Sequence, residues 1–99
     1  MNIERLTTRA GARAFSQGRA VYRGARVPGG VVHDITAVLD RSYEVFDEDG
    51  VARRVTVMAV QVSQVPSSER GDTIERDGRS WQVIHTLEDD GHDRVLEVT

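Results

Sequence analysis

The chain has 99 residues and a net charge of −3 at pH 7, so we expect a single domain with a modest hydrophobic core. It contains no cysteine, which excludes disulfides, thiolate metal ligands and cysteine nucleophiles. No apolar run approaches the roughly 18 residues that a membrane-spanning helix requires, and no apolar signal core opens the chain. We therefore expect neither a membrane anchor nor secretion.

The charge is distributed unevenly along the chain. Residues 1–26 hold six arginines and one acidic residue, whereas residues 27–99 hold seven arginines and fifteen acidic residues. A basic arm that finds an acidic or phosphate surface and a merely solvated tail both fit this pattern. Residues 1–18 have a thin apolar face at helical spacing, interrupted by Gly11. This predicts a weakly helical or disordered arm over 1–18, followed by one domain over 19–99.

Short β-like runs fill the middle of the sequence. They occupy residues 19–27, 31–39 and 51–65, separated by the turn signals Pro28-Gly29-Gly30 and Asp47-Glu48-Asp49-Gly50. The run 31–39 is apolar on both faces, which is typical of a strand that lines a barrel or sandwich and is partly covered outside. In 51–65 the apolar phase changes near Met58. This predicts either a β-bulge or two short strands with a kink near Ala59.

The last thirty residues predict a three-stranded meander. Asp77-Gly78 is typical of a two-residue type I′ turn, since both residues tolerate a positive φ. Such a turn fixes the register of the hairpin, with the pairs Arg76–Arg79, Glu75–Ser80, Ile74–Trp81 and Thr73–Gln82. A second turn is predicted within residues 88–92, and Leu96 and Val98 share one side of the returning strand. On the central strand, one face at period two carries Trp81, Val83, His85 and Leu87.

Together these patterns predict an all-β fold. Five to seven short antiparallel strands, with turn signals every 8–12 residues and no central helix, favour a small β-barrel or sandwich.

No residue pattern supports catalysis, a cofactor or a metal. The acidic turns at 47–50 and 88–91 lack the ligand spacing of a calcium loop, and the three histidines lack that of a helical zinc site. Nucleophile-elbow and phosphate-loop motifs are absent. We expect His85 on the Trp81 face and His92 in an exposed loop. A single-strand nucleic-acid-binding barrel remains the alternative, although the body is acidic and poor in aromatic residues.

From about residue 20 onward the chain resembles the head–tail joining, or head-completion, proteins of long-tailed phages, of the lambda joining-protein type. The order and spacing of short motifs carry this resemblance: Arg70-Gly71-Asp72-Thr73-Ile74, Gly78, Trp81-Gln82-Val83, Asp89-Asp90-Gly91 and Val95-Leu96-Glu97-Val98. The strand-like run 31–40, and the run 55–65 closed by Pro66, also resemble the family's strands.

The resemblance implies a small barrel or sandwich with a mobile N-terminus, a mobile loop between early strands and no catalysis. It also implies a structural virion or prophage protein at the neck, present in the host cytoplasm during assembly. The partners would be the portal connector, the tail terminator and, in a ring, further copies of a protein that is monomeric when free; nucleic acid and membrane are not expected. We hypothesise that the arm and the loop around 43–54 order only on assembly. The candidate interface residues are Arg5, Arg9, Arg13, Arg19, Arg23, Tyr43, Phe46, Arg53 and Arg54.

Overall fold

Six antiparallel strands form a closed barrel in the computed structural model, which describes residues 15–99. The strands are β1 (Phe15–Arg23), β2 (Val31–Phe46), β3 (Ala52–Gln61), β4 (Thr73–Arg76), β5 (Arg79–Asp89) and β6 (Asp93–Val98). A short 3-10 turn at Pro28–Gly30 precedes β2. The order around the barrel is β1-β2-β3-β6-β5-β4, and β4 pairs back with β1. The all-β prediction is confirmed, and the fold is a barrel.

β1 begins earlier than the sequence predicted. It starts at Phe15 and ends at Arg23, whereas the β-like run was expected at 19–27. Its residues from Phe15 to Ala20 pair with β2, which draws the end of the expected arm into the barrel. The predictions for Arg5, Arg9 and Arg13 fall outside the described residues.

The barrel interior is filled by one side of every strand. Its buried apolar side chains come from β1 to β6 and from the connections after β1 and β3: Ala20, Tyr22, Val27, Ile35, Ala37, Met58, Val60, Val65, Ile74, Trp81, Val83, Leu96 and Val98. Burial of this set is the main force that closes the barrel, because each fully buried aliphatic or aromatic side chain contributes about 1.5–3 kcal/mol.

A second apolar cluster lies on the outer face of β2, β3 and β6. It consists of Val38, Tyr43, Val55, Val57, Ala59 and Val95, with the half-buried Val45 and Leu87 against it. These residues alternate along the strands with those that point inward. This second layer explains the phase change in 51–65, and the predicted bulge or kink near Ala59 is wrong. β3 pairs with β6 without interruption from Val57 to Gln61, and both of its faces are buried.

The segment around residues 43–54, expected as a loop, is mostly a paired hairpin, and its ordering on assembly stays a prediction. These residues form a hairpin, in which Tyr43 pairs with Val55 and Phe46 with Ala52. The polar turn predicted at 47–50 lies between the two strands, and the Asp47 N–H donates to the Val51 carbonyl across it at 3.1 Å. The register of β2 against β3 shifts between Asp40 and Tyr43, and the pairing of the two strands resumes at Tyr43. It keeps Tyr43 on the outer face, where this side chain packs into the second cluster.

The terminal meander follows the predicted register. All four pairs around Asp77-Gly78 are present, and both turn residues have positive φ, of 53° and 76°. The second turn spans residues 90–92, and Leu96 and Val98 point into the barrel. His85 departs from the prediction. The register shifts between Val83 and His85, so His85 is exposed and its Nε2 lies 2.8 Å from Glu97 Oε1.

Candidate interaction surfaces

A buried arginine anchors the long connection between β3 and β4. Arg94 on β6 is almost fully buried, and its Nε donates to Asp89 Oδ2 at 2.9 Å. Its other nitrogens donate to three acceptors in the connection, namely the Val65 carbonyl at 2.9 Å, the Ser68 hydroxyl at 3.0 Å and the Pro66 carbonyl at 3.1 Å. The charge of Arg94 therefore organises a segment that has no regular secondary structure.

The other end of the same connection is held by Asp72. This buried carboxylate accepts the Tyr22 hydroxyl at 2.5 Å and the Glu69 backbone N–H at 2.9 Å through the same oxygen, Oδ2. Burial, together with the hydrogen bond to Asp72, raises the pKa of Tyr22 well above its usual range. Asp72 belongs to the Gly-Asp motif of the sequence. The structure assigns it a stabilising role inside the barrel.

The end of the β2–β3 hairpin carries both acidic side chains and exposed apolar side chains. Asp47 Oδ1 accepts the backbone N–H groups of Asp49 and Val51, which fixes the turn. The large hydrophobic side chains exposed in the described part of the chain are Phe46 (64%) and Val51 (59%), which flank this turn. We call residues 46–51 the hairpin tip. Exposed apolar groups beside charged ones are typical of a surface that binds another protein.

The hairpin tip is supported by contacts behind it. The Tyr43 hydroxyl donates to Glu88 Oε1 on β5 at 2.8 Å, although β3 and β6 lie between β2 and β5 in the sheet. The end of the hairpin therefore bends across the outer face toward β5. A shallow groove between the two elements is lined by Tyr43, Glu44, Val45, Phe46, Leu87 and Glu88.

One mouth of the barrel carries a cluster of arginines around Trp81. A cavity of about 190 Å³ there is lined by Leu39, Arg41, Arg76, Asp77, Arg79 and Trp81. The Arg79 guanidinium carbon lies 3.7 Å from the centroid of the Trp81 ring, and that of Arg41 lies 5.5 Å from it. Both distances fit cation–π interactions. We call this the arginine cavity.

The candidate interface residues named from the sequence fall into two groups. Arg19 and Arg23 are exposed on β1, and Arg19 Nη1 lies 3.6 Å from Asp34 Oδ1. The second group lies in the β2–β3 hairpin. There Phe46 is exposed, Arg53 Nη2 lies 3.9 Å from Glu97 Oε1, and Arg54 Nη1 donates to the Ser42 carbonyl. Tyr43 is buried, so it supports the hairpin from behind.

Sequence reasoning missed the arginine cavity. A signal for it exists in the predicted register, because Arg79 lies two residues before Trp81 on one strand face, and Arg76 lies two residues after Ile74 on its partner strand. Both pairs place an arginine directly beyond an inward-facing core residue.

The described residues contain no cluster of three or more histidine, cysteine, aspartate or glutamate side chains that could hold a metal ion. Within the same part of the chain, no helix is long and apolar enough to cross a membrane. The described residues thus form a small all-β barrel with an exposed hairpin tip and a cavity lined by arginines.

A family model described as phage head-tail attachment protein matches residues 3–98. The chain therefore belongs to the phage head-tail attachment family, as its sequence motifs suggested. It is a structural phage protein of the head–tail junction, located at the virion neck and interacting with head and tail components. No curated protein and no solved structure matches the chain.

Proposed function

We propose that the protein joins the portal connector of the filled capsid to the tail terminator, without catalysis. Copies that are monomeric in the host cytoplasm form a ring on the connector. The family match over residues 3–98 carries this proposal, because it spans the barrel and nearly all of the basic arm.

The closure of the barrel supports the idea that the strands hold the fold together while other segments contact neighbouring proteins. Each strand has two neighbours, so most strand edges are paired, although β4 pairs with β1 only over residues 21–23 and with β5 only over residues 79–82. We therefore expect contacts with neighbouring proteins to come mainly from turns, side chains and terminal segments. In the described residues the hairpin tip is the best candidate, since Phe46 and Val51 expose apolar surface there.

We further propose that the basic arm and the hairpin tip order only on assembly. The hairpin tip supports this idea, because in the described structure the hydrogen bonds of residues 47–51, both backbone and side-chain, all stay within the turn and none reaches another element of the barrel. A segment that orders on binding has a lower affinity for each contact, and this delays assembly until the complete partner surface is present.

Two measurements test the proposal. In a joining assay, purified protein and tails are added to filled heads that lack the protein, and infectious particles are counted; we expect infectivity to depend on the added protein. In hydrogen exchange, the amides of the arm and of residues 47–51 should exchange fast in the free protein and slowly in joined particles. Slow exchange of both segments in the free monomer would remove the order-on-assembly mechanism.

A further inference from the structure

The inner faces of three strands all end in arginine at the same mouth of the barrel. Along β2 the inward side chain Leu39 is followed at period two by Arg41, and along β4 Ile74 is followed by Arg76. On β5 Arg79 precedes Trp81 in the same way. The interior of the barrel therefore opens onto three guanidinium groups, and this arrangement produces the arginine cavity.

The arginine cavity has an excess of positive charge. Among the described residues that line it, three are arginines and one, Asp77, is acidic; Asp77 Oδ2 lies 3.6 Å from Arg76 Nε. Within residues 15–99, neither Arg41 nor Arg79 has a carboxylate within ion-pair distance, and both guanidinium groups lie against the Trp81 ring. Two exposed guanidiniums on one aromatic ring form a site for a carboxylate or another planar anion.

The hairpin tip has the opposite charge. Its turn carries Asp47, Glu48 and Asp49, and no described cation lies within ion-pair distance of any of them. The side chains of Glu48 and Asp49 are exposed, and Phe46 and Val51 place apolar surface beside them. The chain therefore presents two charged surfaces that are complementary in sign, and neither is neutralised by the other in the described structure.

We propose that, in the assembled ring, the arginine cavity of each copy receives the acidic hairpin tip of its neighbour. A ring of identical subunits requires two different surfaces that fit each other, and the hairpin tip and the arginine cavity form such a pair. The cavity of about 190 Å³ has room for one or two carboxylate groups. The contact deepens the proposed joining function and rests on it.

Nucleic acid fits the arginine cavity less well. Trp81 is only 4% exposed and Arg79 covers its ring, so the ring offers no free face for a base to stack on. The described residues also carry fifteen acidic side chains against ten arginines, which disfavours binding to a long polyanion.

Charge reversal provides the sharpest test. Arg41→Glu with Arg79→Glu reverses the cavity, and Glu48→Arg with Asp49→Arg reverses the tip. Since like charges at an interface repel each other, each reversal alone should lower infectivity in the joining assay about 10-fold or more. All four substitutions in one chain restore opposite charges at every contact of a homogeneous ring. This quadruple variant should recover to within about 3-fold of wild type.

Two controls keep this test decisive. Reversing the exposed Arg23 and Arg70 together with the tip supplies the same number of charge changes outside the cavity, and it should give no recovery. Thermal unfolding of each variant shows whether it folds; if the reversed cavity does not, Arg41→Gln with Arg79→Gln replaces it and should lower infectivity alone. Failure of the quadruple variant to recover, when all variants are folded, would overturn the proposed contact.

A second measurement locates the contact directly. Because the chain has no cysteine, Glu48→Cys provides a single attachment point for a short photo-crosslinker. In joined particles, mass spectrometry should find the label on a peptide containing Arg79 and Trp81 of another copy. Attachment to a connector protein, a tail protein or DNA, in particles that join normally, would overturn the contact and leave the joining function standing. If the wild-type protein joins no heads to tails, the result contradicts both the joining function and the contact between hairpin tip and arginine cavity.

Discussion

The Tyr22 hydroxyl on β1 donates a 2.5 Å hydrogen bond to Oδ2 of Asp72, the residue directly before β4. Fifty positions separate the two residues in the sequence, and both are buried. The bond ties β1 to the start of β4, which is the strand pair that closes the barrel. Asp72 in the Gly-Asp motif therefore acts at the seam of the fold.

Removal of the Tyr22 hydroxyl tests this role. Tyr22→Phe leaves a buried carboxylate with one donor fewer, so the free energy of unfolding should fall by about 1.5–3 kcal/mol. Urea unfolding followed by Trp81 fluorescence measures the change. Tyr43→Phe is the matched control, because its acceptor Glu88 is only half-buried, and its loss should be smaller. Equal losses in the two variants would contradict a special role for the Tyr22–Asp72 bond.

Gly24 should be intolerant of a side chain, because Asp72 occupies the adjacent space. A Cβ at position 24 would lie 2.5–2.7 Å from the Asp72 carboxylate group. Two hydrogen bonds hold that carboxylate, so Gly24→Ala should cost about 1–3 kcal/mol of stability. Gly18→Ala is the comparison, since its Cβ would meet the end of the longer Arg76 side chain at 2.8 Å. Thermal unfolding should show the larger loss for Gly24→Ala, and the reverse order would contradict the account.

Asp40 makes stability depend on pH with an unusual sign. It is fully buried on the outer face, its Oδ1 accepts the Ser42 N–H, and its Oδ2 has no partner. Burial raises the pKa of Asp40. A raised pKa in the folded state means that this residue destabilises the protein above that pKa. Its cost disappears as the pH falls toward the unfolded-state value of about 3.9.

The variant Asp40→Asn should therefore be more stable than wild type at pH 7, by about 1–3 kcal/mol, since it removes an unsatisfied buried charge and keeps the Ser42 bond. The gain should shrink as the pH is lowered through the acidic range. Urea unfolding at several pH values gives the comparison, with exposed Asp34→Asn as the control. A gain that is constant with pH would show that the pKa of Asp40 is the same in the folded and unfolded states, which would contradict the account.

The hairpin tip should matter for joining and little for folding. Phe46→Ser with Val51→Thr removes exposed apolar surface, and stability should change by only about 0.5 kcal/mol per site. Infectivity in the joining assay should fall about 10-fold, which corresponds to 1.4 kcal/mol of lost interface energy. Ala25→Ser at another exposed position should leave joining unchanged. Full joining by the double variant would exclude the tip from the interface.

Local chemistry made part of the fold predictable from the sequence. The Asp77-Gly78 turn fixed the register of β4 and β5, because a two-residue turn leaves no freedom in the pairing. His85 escaped prediction because the register shift before it depends on how β5 meets β6. The bulge predicted near Ala59 was wrong because both faces of β3 are covered there. A strand with two covered faces no longer alternates between apolar and polar residues, and this change in the sequence pattern resembles that of a bulge.

The candidate surfaces were predictable only in part. Phe46 and Arg53 could be named because they lie beside a strong turn signal, and the structure leaves both exposed. Burial of Tyr43 could not be foreseen, because it depends on the hairpin bending toward Glu88. Arg94 and Asp72 find their partners only when distant segments meet, so no local pattern indicates their roles.

The joining assay tests the central claim most directly. Filled heads lacking this protein are mixed with tails, with and without purified wild-type protein whose folding has been verified by its unfolding transition. The account predicts that infectious particles appear only when the protein is present, and that their number rises with its concentration until the heads are saturated. Heads and tails that join equally well without the protein, or that stay separate in its presence, would contradict it.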